Sequence, residues 1–513
     1  MQVFKQKITW VTGIAIFSMF FGAGNVVFPL TLGFFAGDEI TWALLGLLVT
    51  AIGGPLLGLF AAILYEGNCT QFFSRIGKVP GNALIFLALC LLGPFAVMPR
   101  CFIVAFEAVR PFMPTLTLFQ FSLISAFLVV VSIAKREWLL GLLGYILSPV
   151  LIISLLSIIF FGVYSDITLP HKGISATSAF KQGLLVGYDT MDLMAALFFA
   201  APIWYLLKES LAIKTLEDKV KKLIPVAIGA SLIGGAILAL IYIGLSWVSA
   251  SNLDKLEGVP LEAILSYLAV SVLGVKWSII SNIAIALACI TTVMSLAVML
   301  VEVLDQEFNF WHWMPDHTFS YSGSILLIMM ITVFFANLGF TKLMSIIHPI
   351  VMVCYPAIVV LTICNILYKL FGFKPVKIPF AVVLISTLLY TVSAHALSQD
   401  PPTEIRITIG QSVESPSFEP KDIQMKVDHR YTLKITNPHP VNLMMEFDNL
   451  NTAIVTHYVN GASKVDYNTI GLPPEQTIEW SFTPLKKGRF RFYESGQSDR
   501  PDQNLVSYFE FNS

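Results

Sequence analysis

Phe20–Pro29 reads FFGAGNVVFP and interrupts the first long apolar run of the chain, residues 8–36. Inside a helix, Gly costs roughly 1 kcal/mol and Pro roughly 3 kcal/mol relative to Ala, so an unbroken helix is disfavoured here. Within a bilayer, freed backbone groups are tolerated only where they line a cavity or are buried in protein. The stretch alone leaves two interpretations open: a kinked helix whose glycines allow close packing, or a site of the kind that broken helices form in secondary transporters.

The composition is typical of a polytopic α-helical membrane protein surrounded by lipid. Of 513 residues, 56% are hydrophobic and 13% are charged, whereas soluble domains have about 25% charged residues. The net charge of −1 and the lack of a basic stripe argue against a nucleic-acid partner. The six cysteines form no CxxC pair and are expected to pack as small apolar residues.

Eleven apolar runs approach or exceed the roughly 20 residues that span a bilayer. They cover residues 8–36, 41–65, 83–110, 116–134, 138–164, 184–207, 223–249, 276–304, 322–339, 343–370 and 376–397. The shorter segment 258–274 is predicted to be a re-entrant or interfacial helix. Lys and Arg are concentrated in the loops that lie inside if the N-terminus is cytoplasmic, although loop 305–320 has neither. We therefore expect a retained first helix, a cytoplasmic N-terminus and a C-terminus outside the cytoplasm.

The character of the chain changes at about residue 398. Beyond it, short alternating segments are separated by Pro, Gly, Asn and Asp, which is typical of a β-sandwich or small barrel. The predicted strands are Glu404–Ile409, Asp422–Val427, Tyr431–Thr436, Leu443–Phe447, Ala453–Val459, Thr477–Phe482, Arg489–Tyr493 and Leu505–Phe511. The sequence thus predicts a membrane domain over 1–398 and an all-β domain over 399–513, the latter outside the cytoplasm.

A second interruption, Gly183–Asp192, reads GLLVGYDTMD and opens the sixth apolar run. Its two carboxylates, Asp189 and Asp192, are expensive within a membrane span and usually functional. The two breaks open two blocks of five spans, 8–164 and 184–370, followed by an extra span at 376–397. Corresponding breaks in two halves point to a transporter site, and halves with five spans each must be inverted relative to one another. This correspondence favours a transporter over a packing kink and over an enzyme.

Broken helices suit a zwitterionic substrate. Half-helix N-termini present unpaired N–H groups to a carboxylate, and half-helix C-termini present carbonyls to a cation or an ammonium group. Phe20, Phe21 and Met191 would offer apolar walls to an apolar side chain.

The eighth span carries a candidate cation site at Ala288, Thr291 and Thr292. Their i, i+3, i+4 spacing places one carbonyl and two hydroxyls on one helix face, and these are hard oxygen ligands. The alternative is that the Thr hydroxyls bond back to the preceding helical turn.

The third span contains Arg100 and Glu107, which are seven residues apart and can share a helix face. They are predicted to form a gating or coupling pair, with the alternative that Arg100 is a structural anchor for Asp189, Asp192 or Glu66. Asn337 and His348 are expected to form hydrogen bonds between helices.

With these residues assembled, the membrane part resembles the bacterial branched-chain amino acid:cation symporters (the LIVCS or BrnQ-type family). The resemblance rests on Phe20–Asn25 with Phe28-Pro29; Gly93–Ala96 and Pro99-Arg100 with Phe106-Glu107; Gly187-Tyr188 with Thr190–Asp192 and Ala195–Leu197; Ala288-Cys289 with Thr291-Thr292; and Ala336–Gly339 with His348-Pro349 and Tyr355-Pro356. Two departures are the eleven spans, where the family usually has twelve, and the appended β domain.

The resemblance implies a LeuT-like fold of five-plus-five inverted repeats in the bacterial inner membrane. It also implies uptake of leucine, isoleucine and valine driven by sodium, or by protons in some members; methionine is a further candidate substrate. The implied substrate-binding residues are Phe21, Gly22, Ala23, Gly24, Asn25, Tyr188, Asp189, Thr190, Met191 and Asp192. The implied sodium ligands are Ser18, Phe21, Ala288, Thr291 and Thr292.

The C-terminal domain resembles a cupredoxin-like sandwich through Phe418–Pro420, Ile423–Val427, Tyr431–Asn437, Glu479–Pro484 and Lys487–Phe492. Met445 occupies the usual first-His position and Tyr493 the usual Cys position, so a blue-copper centre cannot form without the thiolate. A soft Cu(I) site from Met444, Met445, His439 and His457 is a weaker alternative to a metal-free domain that binds a periplasmic partner.

Three functions remain open from the sequence. The first is a sodium-coupled symporter of branched-chain or similar apolar amino acids that needs no cofactor. The second is proton coupling through Asp189, Asp192 or Glu107. The third is a receptor or metal-handling protein that has lost transport and acts through its β domain.

Overall fold

The computed structural model describes most of the chain as helices and strands. The residues described are 6–134, 148–163, 169, 174–213, 215, 219–256, 258–308, 317–399, 403–410, 418–427, 429–448, 450, 453–463, 469–485, 487–494 and 506–512. They form two compact units, Met1–Leu388 and Leu389–Ser513. The boundary between the units falls within the last helix, Lys377–Gln399.

The first unit is helical. Its helices are α1 Lys7–Phe20, α2 Ala23–Ala36, α3 Ile40–Leu48, α4 Gly54–Leu64, α5 Cys69–Phe73, α6 Lys78–Leu92, α7 Val97–Val109, α8 Leu118–Ala134, α9 Ser148–Val163, α10 Ala176–Asp189, α11 Asp192–Ser210, α12 Ile224–Ser251, α13 Leu253–Leu256, α14 Ile264–Phe308, α15 His317–Ala336, α16 Phe340–Phe371 and α17 Lys377–Gln399. The described residues include six helical stretches long and apolar enough to cross a membrane, with five shorter apolar helices. Helices occupy all eleven predicted apolar runs, although residues 138–147 and 164 of the fifth run lie outside the described ranges.

Both interruptions predicted from the sequence are present. The first separates α1 from α2, and the second separates α10 from α11. The helix halves pack in a matching way: α1 and α2 lie against α12, whereas α10 lies against α3 and α11 against α4. Each broken helix thus contacts the helix that follows the other break.

Other breaks were not predicted. The third apolar run, expected as one span, ends its first helix at Leu92 and resumes at Val97, because Gly93-Pro94 cannot continue a helix comfortably. A π-helical turn, Val49–Gly53, joins α3 to α4. In the segment 258–274, a 3₁₀ turn leads into α14, which leaves helical geometry at Gly274 (φ 73°, ψ 163°). A short helix therefore precedes the eighth span, as predicted; its depth in the membrane stays a prediction.

Glycines bring α10 unusually close to α3. A Cβ at Gly183 would lie 1.9 Å from the Ala43 carbonyl oxygen, and one at Gly187 would lie 1.9 Å from Thr50 Oγ1. Small residues four apart allow such backbone contact between membrane helices. This contact fixes the helix that leads into the second break.

The second unit is a two-sheet β structure. Its strands are β1 Thr403–Ile409, β2 Phe418–Glu419, β3 Asp422–Lys426, β4 Tyr431–Thr436, β5 Leu443–Phe447, β6 Ile454–Asn460, β7 Thr469–Leu472, β8 Thr477–Pro484, β9 Gly488–Glu494 and β10 Ser507–Asn512. One sheet has the order β2-β1-β4-β8-β6 and the other β3-β10-β9-β5-β7. The pairs β1–β4 and β3–β10 are parallel, and the other pairs are antiparallel.

The core of this unit is aromatic. Trp480 is 1% exposed, and its ring centroid lies 5.0 Å from that of Phe447 and 4.7 Å from that of Phe482. The eight predicted strands are all present, and β2 and β7 were missed. The prediction of an all-β C-terminal domain is therefore confirmed.

Candidate functional site

The first break is a two-residue extended segment between α1 and α2. Phe21 (φ −73°, ψ 104°) and Gly22 (φ −134°, ψ −169°) are both non-helical. The side chain of Asn25 turns back onto the break, and its Oδ1 accepts a hydrogen bond from the Gly22 N–H at 2.9 Å. Asn is well suited here because its short amide can satisfy one of the free N–H groups at a helix start.

The second break is built by Thr190 and Met191. Met191 is buried with a left-handed backbone, φ 60°, a conformation that costs a non-Gly residue roughly 1–3 kcal/mol. The Thr190 hydroxyl donates to the Gly187 carbonyl at 2.9 Å and ties the end of α10 to the break. Strain of this kind is concentrated at functional sites.

Asn25 and Asp192 connect the two breaks directly. Asn25 Nδ2 donates to Asp192 Oδ2 at 2.6 Å, and it also donates to the hydroxyl of Tyr242 on α12. The Tyr242 hydroxyl donates to the same Asp192 oxygen at 3.2 Å. The exposed fractions of Asn25, Asp192 and Tyr242 are 2%, 4% and 0%. This buried network holds α2, α11 and α12 together, and the sequence reasoning did not identify Tyr242.

Asp189 has different partners from Asp192. Its carboxylate oxygens lie 2.9 Å and 3.0 Å from Nδ1 of His348 on α16. The Asp189 side chain is 8% exposed, whereas that of His348 is 46% exposed. The expected helix-to-helix hydrogen bond of His348 is therefore present, and it reaches a predicted site residue. Asn337 likewise donates to Ser122 at 3.1 Å.

Arg100 and Glu107, predicted as a gating or coupling pair, each bond to another group. Arg100 Nη1 donates to the backbone carbonyl of Asp189 at 2.7 Å, which agrees with the alternative of a structural anchor. Glu107 instead bonds Arg110, three residues further along α7, at 3.2 Å. Two helical turns separate Arg100 from Glu107 by about 10 Å along the axis, which is too far for a direct contact.

Tyr188 packs against a second aromatic residue that was not among the predicted site residues. Its ring centroid lies 4.7 Å from that of Tyr355 on α16. The Tyr355 hydroxyl accepts a hydrogen bond from the backbone N–H of Leu193 at 3.3 Å. The first turn of α11 is thereby attached to α16.

The predicted cation ligands lie together beside the first break. The hydroxyls of Thr291 and Thr292 both donate to the Ala288 carbonyl, at 2.8 Å and 3.0 Å, as the back-bonding alternative predicts. Because each hydroxyl donates its proton to the Ala288 carbonyl, both hydroxyl oxygens keep lone pairs that can coordinate a cation. Ser18, Phe21, Ala288, Thr291 and Thr292 all line one cavity.

That cavity has a volume of about 1410 Å³ and lies among α1, α11 and α14. Of the ten predicted substrate-binding residues, all within the described ranges, Phe21 alone is among its lining residues. Gly22 lines a much smaller void next to it. The other predicted substrate-binding residues, which are buried or half-buried in this structure, are Ala23, Gly24, Asn25, Tyr188, Asp189, Thr190, Met191 and Asp192.

In the β unit, Met445, Tyr493 and His439 have packing or hydrogen-bonding roles. Met445 is fully buried in the core, and the Tyr493 hydroxyl donates to Asp448 at 3.2 Å. His439 Nε2 lies 2.7 Å from the Gly410 carbonyl oxygen. The side chain of His457 lies outside the described residues. Within the described part of the chain, no three His, Cys, Asp or Glu residues are grouped to hold a metal ion.

Comparisons with known proteins identify sequence relatives of the chain. The sequence is 29% identical over 413 residues to a putative branched-chain amino acid carrier protein of Staphylococcus haemolyticus, which covers 76% of this chain and 89% of that one. It is 29% identical over 375 residues to the branched-chain amino acid permease BrnQ of Bacillus subtilis, covering 71% and 82%. A manganese transporter from Eremococcus coleocola gives a TM-score of 0.46 at 12% identity, over 78% of this chain and 90% of that one. The family described as "Branched-chain amino acid transport protein" matches residues 5–407, and the chain belongs to that family.

Proposed function

We propose that the protein imports leucine, isoleucine and valine together with a cation, and that sodium is the coupling ion. The observation that carries this proposal is the hydrogen bond between Asn25 and Asp192, because it brings the two helix breaks to one place. At such a place, helix N-termini favour a carboxylate and helix C-termini favour a cation. We further propose the five-plus-five inverted repeat, supported by the matching contacts of the two broken helices.

Sodium coupling is supported by the oxygens of α14. The Ala288 carbonyl and the hydroxyls of Thr291 and Thr292 are hard ligands, and they lie on a cavity that also reaches Phe21 and Ser18. Carbonyl, carboxylate and hydroxyl oxygens suit hard cations. Lys208 and Lys369 line this cavity, and the Lys and Arg distribution assigns them to the inside. With the proposed cytoplasmic N-terminus in a bacterial inner membrane, we therefore expect the cavity to open towards the cytoplasm.

Uptake of labelled leucine into proteoliposomes tests the proposal. We expect an inward sodium gradient to drive accumulation, with valine and isoleucine competing. Thr292→Ala should raise the sodium concentration for half-maximal uptake by roughly 10- to 150-fold, since a hydrogen bond or dipole contact to a charged group contributes about 1.5–3 kcal/mol. Ser386→Ala is the matched control, because its hydroxyl bonds back to its own helix at an exposed position. Leucine uptake that ignores the sodium gradient would contradict sodium coupling.

Proton coupling is the second candidate, and the observation that favours it is the burial of the Asp192 carboxylate. Its hydrogen-bond partners, Asn25 and Tyr242, are neutral. If protons drive uptake, Thr291→Ala should leave the ion dependence intact, and Asp192→Asn should abolish the response to a pH gradient while exchange of leucine across the membrane persists.

A further inference from the structure

Arg100 is a buried guanidinium with an incomplete set of partners. The residue is 1% exposed, and within the described part of the chain its Nε and Nη2 have no hydrogen-bond partner. Its Nη1 is held by the Asp189 carbonyl. A buried charge without hydrogen bonds is strongly unfavourable, so the two remaining donors call for an acceptor.

The nearby carboxylates bond to other groups. Asp189 faces His348, and Asp192 accepts from Asn25 and Tyr242. Neither carboxylate supplies an oxygen within hydrogen-bond distance of Nε or Nη2. The acceptor therefore has to come from elsewhere.

The two free donors form one edge of the guanidinium. Nε–H and the adjacent Nη2–H point in parallel from the same side of the plane, and such a pair matches the two oxygens of a carboxylate. The bond from Nη1 to the Asp189 carbonyl fixes the orientation of the group. Arg100 is thus arranged to bind a planar anion through two parallel hydrogen bonds.

The start of α2 adds positive potential at the same place. Arg100 Nη2 lies 3.6 Å from the position of a Cβ on Gly24, the second residue of α2. The N-terminus of a helix carries roughly half a positive charge. The guanidinium carbon also lies 5.2 Å from the centroid of the Phe28 ring, four residues further along α2. A buried cation and a helix N-terminus therefore meet beside an apolar ring.

We propose that Arg100 binds the carboxylate of the transported amino acid through Nε and Nη2, on the first turn of α2. This inference rests on the proposed function and names the residue that selects amino acids over amines. The large cavity reaches Phe21, three residues before Gly24. Nε and Nη2 are themselves buried, so binding of the carboxylate requires the break between Phe21 and Gly24 to rearrange.

The test is binding of leucine and of 3-methylbutylamine, which is leucine without its carboxylate, to the full chain in nanodiscs. For the wild type we expect leucine to bind about 30-fold or more tighter than the amine, as for other buried charge pairs. Arg100→Gln should lower leucine affinity by that factor and leave amine affinity within about threefold, so that the preference disappears. Arg100→Lys keeps the charge but lacks the two parallel N–H donors. Its preference for leucine over the amine should be at least about fivefold smaller than that of the wild type.

Arg110→Gln is the matched control, since it removes an exposed guanidinium from the same helix; its preference should equal that of the wild type. If Arg100→Gln does not fold, Arg100→Lys decides the question. An Arg100 variant that folds and keeps the wild-type preference for leucine overturns the inference and leaves the transport proposal standing. A wild type that binds none of leucine, isoleucine and valine overturns both.

Discussion

The contact between Asn25 and Asp192 predicts a strong energetic coupling between the two helix breaks. The perturbation is a double-mutant cycle with Asn25→Ala, Asp192→Ala and the double variant. Both side chains are at least 96% buried and their atoms are 2.6 Å apart. A hydrogen bond to a charged group contributes roughly 1.5–3 kcal/mol, so we expect a coupling energy of about 2 kcal/mol.

The assay is the free energy of unfolding in mixed micelles with increasing SDS, measured for all four proteins. Asn25→Ala also removes the acceptor of the Gly22 N–H, and the cycle cancels that separate cost. The control cycle joins Glu107 and Arg110, whose pair is partly exposed and should couple by less than about 1 kcal/mol. If the effects of the Asn25 and Asp192 variants add within about 0.5 kcal/mol, the breaks are independent and the reasoning is refuted.

Three further predictions concern packing, the Asp189 contact and the β unit. Gly183→Ala should lower the free energy of unfolding by about 1–3 kcal/mol, because its Cβ would meet the Ala43 carbonyl. The control Gly323→Ala, whose Cβ would have nothing within 4 Å, should change the free energy of unfolding by less than about 1 kcal/mol. Equal effects of the two variants would contradict the close contact. His348→Ala should cost about 1–3 kcal/mol by leaving the Asp189 carboxylate without its ring partner, and a change below about 0.5 kcal/mol would refute that role. Deleting residues 400–513 should leave leucine uptake unchanged, and its loss would favour a function that depends on the β unit.

The helix breaks could be predicted from the sequence because their causes are local. The glycines of Phe20–Pro29 and the paired carboxylates of Gly183–Asp192 mark the two sites in the sequence. Among the Gly, Asn and Pro residues of the first stretch, however, only Gly22 lies in the break, since Gly24, Asn25 and Pro29 lie inside α2. The break at Gly93–Ala96 had the same kind of signal, Gly followed by Pro, but the long apolar run around it favoured a single span. The two missed strands, β2 and β7, have two and four residues, too few for alternation to be recognised.

The partners of the site residues could not be predicted, because they depend on tertiary contacts. Tyr242 is 217 positions from Asn25, and His348 is 159 positions from Asp189. Helical periodicity placed Arg100 and Glu107 on one face, but the separation along the axis and the nearer Arg110 determined the actual pairing. The Thr pair on α14 was found by spacing alone, since a continuous helix preserves the i, i+3, i+4 relation.

The most direct test of the account is the linkage between leucine and sodium on the purified chain. Titration calorimetry would give the Kd for leucine at increasing sodium concentrations, with choline replacing sodium to keep the ionic strength constant. The same method would give the Kd for sodium with and without leucine. Coupled binding at one site predicts that sodium tightens leucine binding and that leucine tightens sodium binding by the same factor. A leucine Kd that does not change with sodium would contradict the claim that the substrate and this cation meet at the paired breaks.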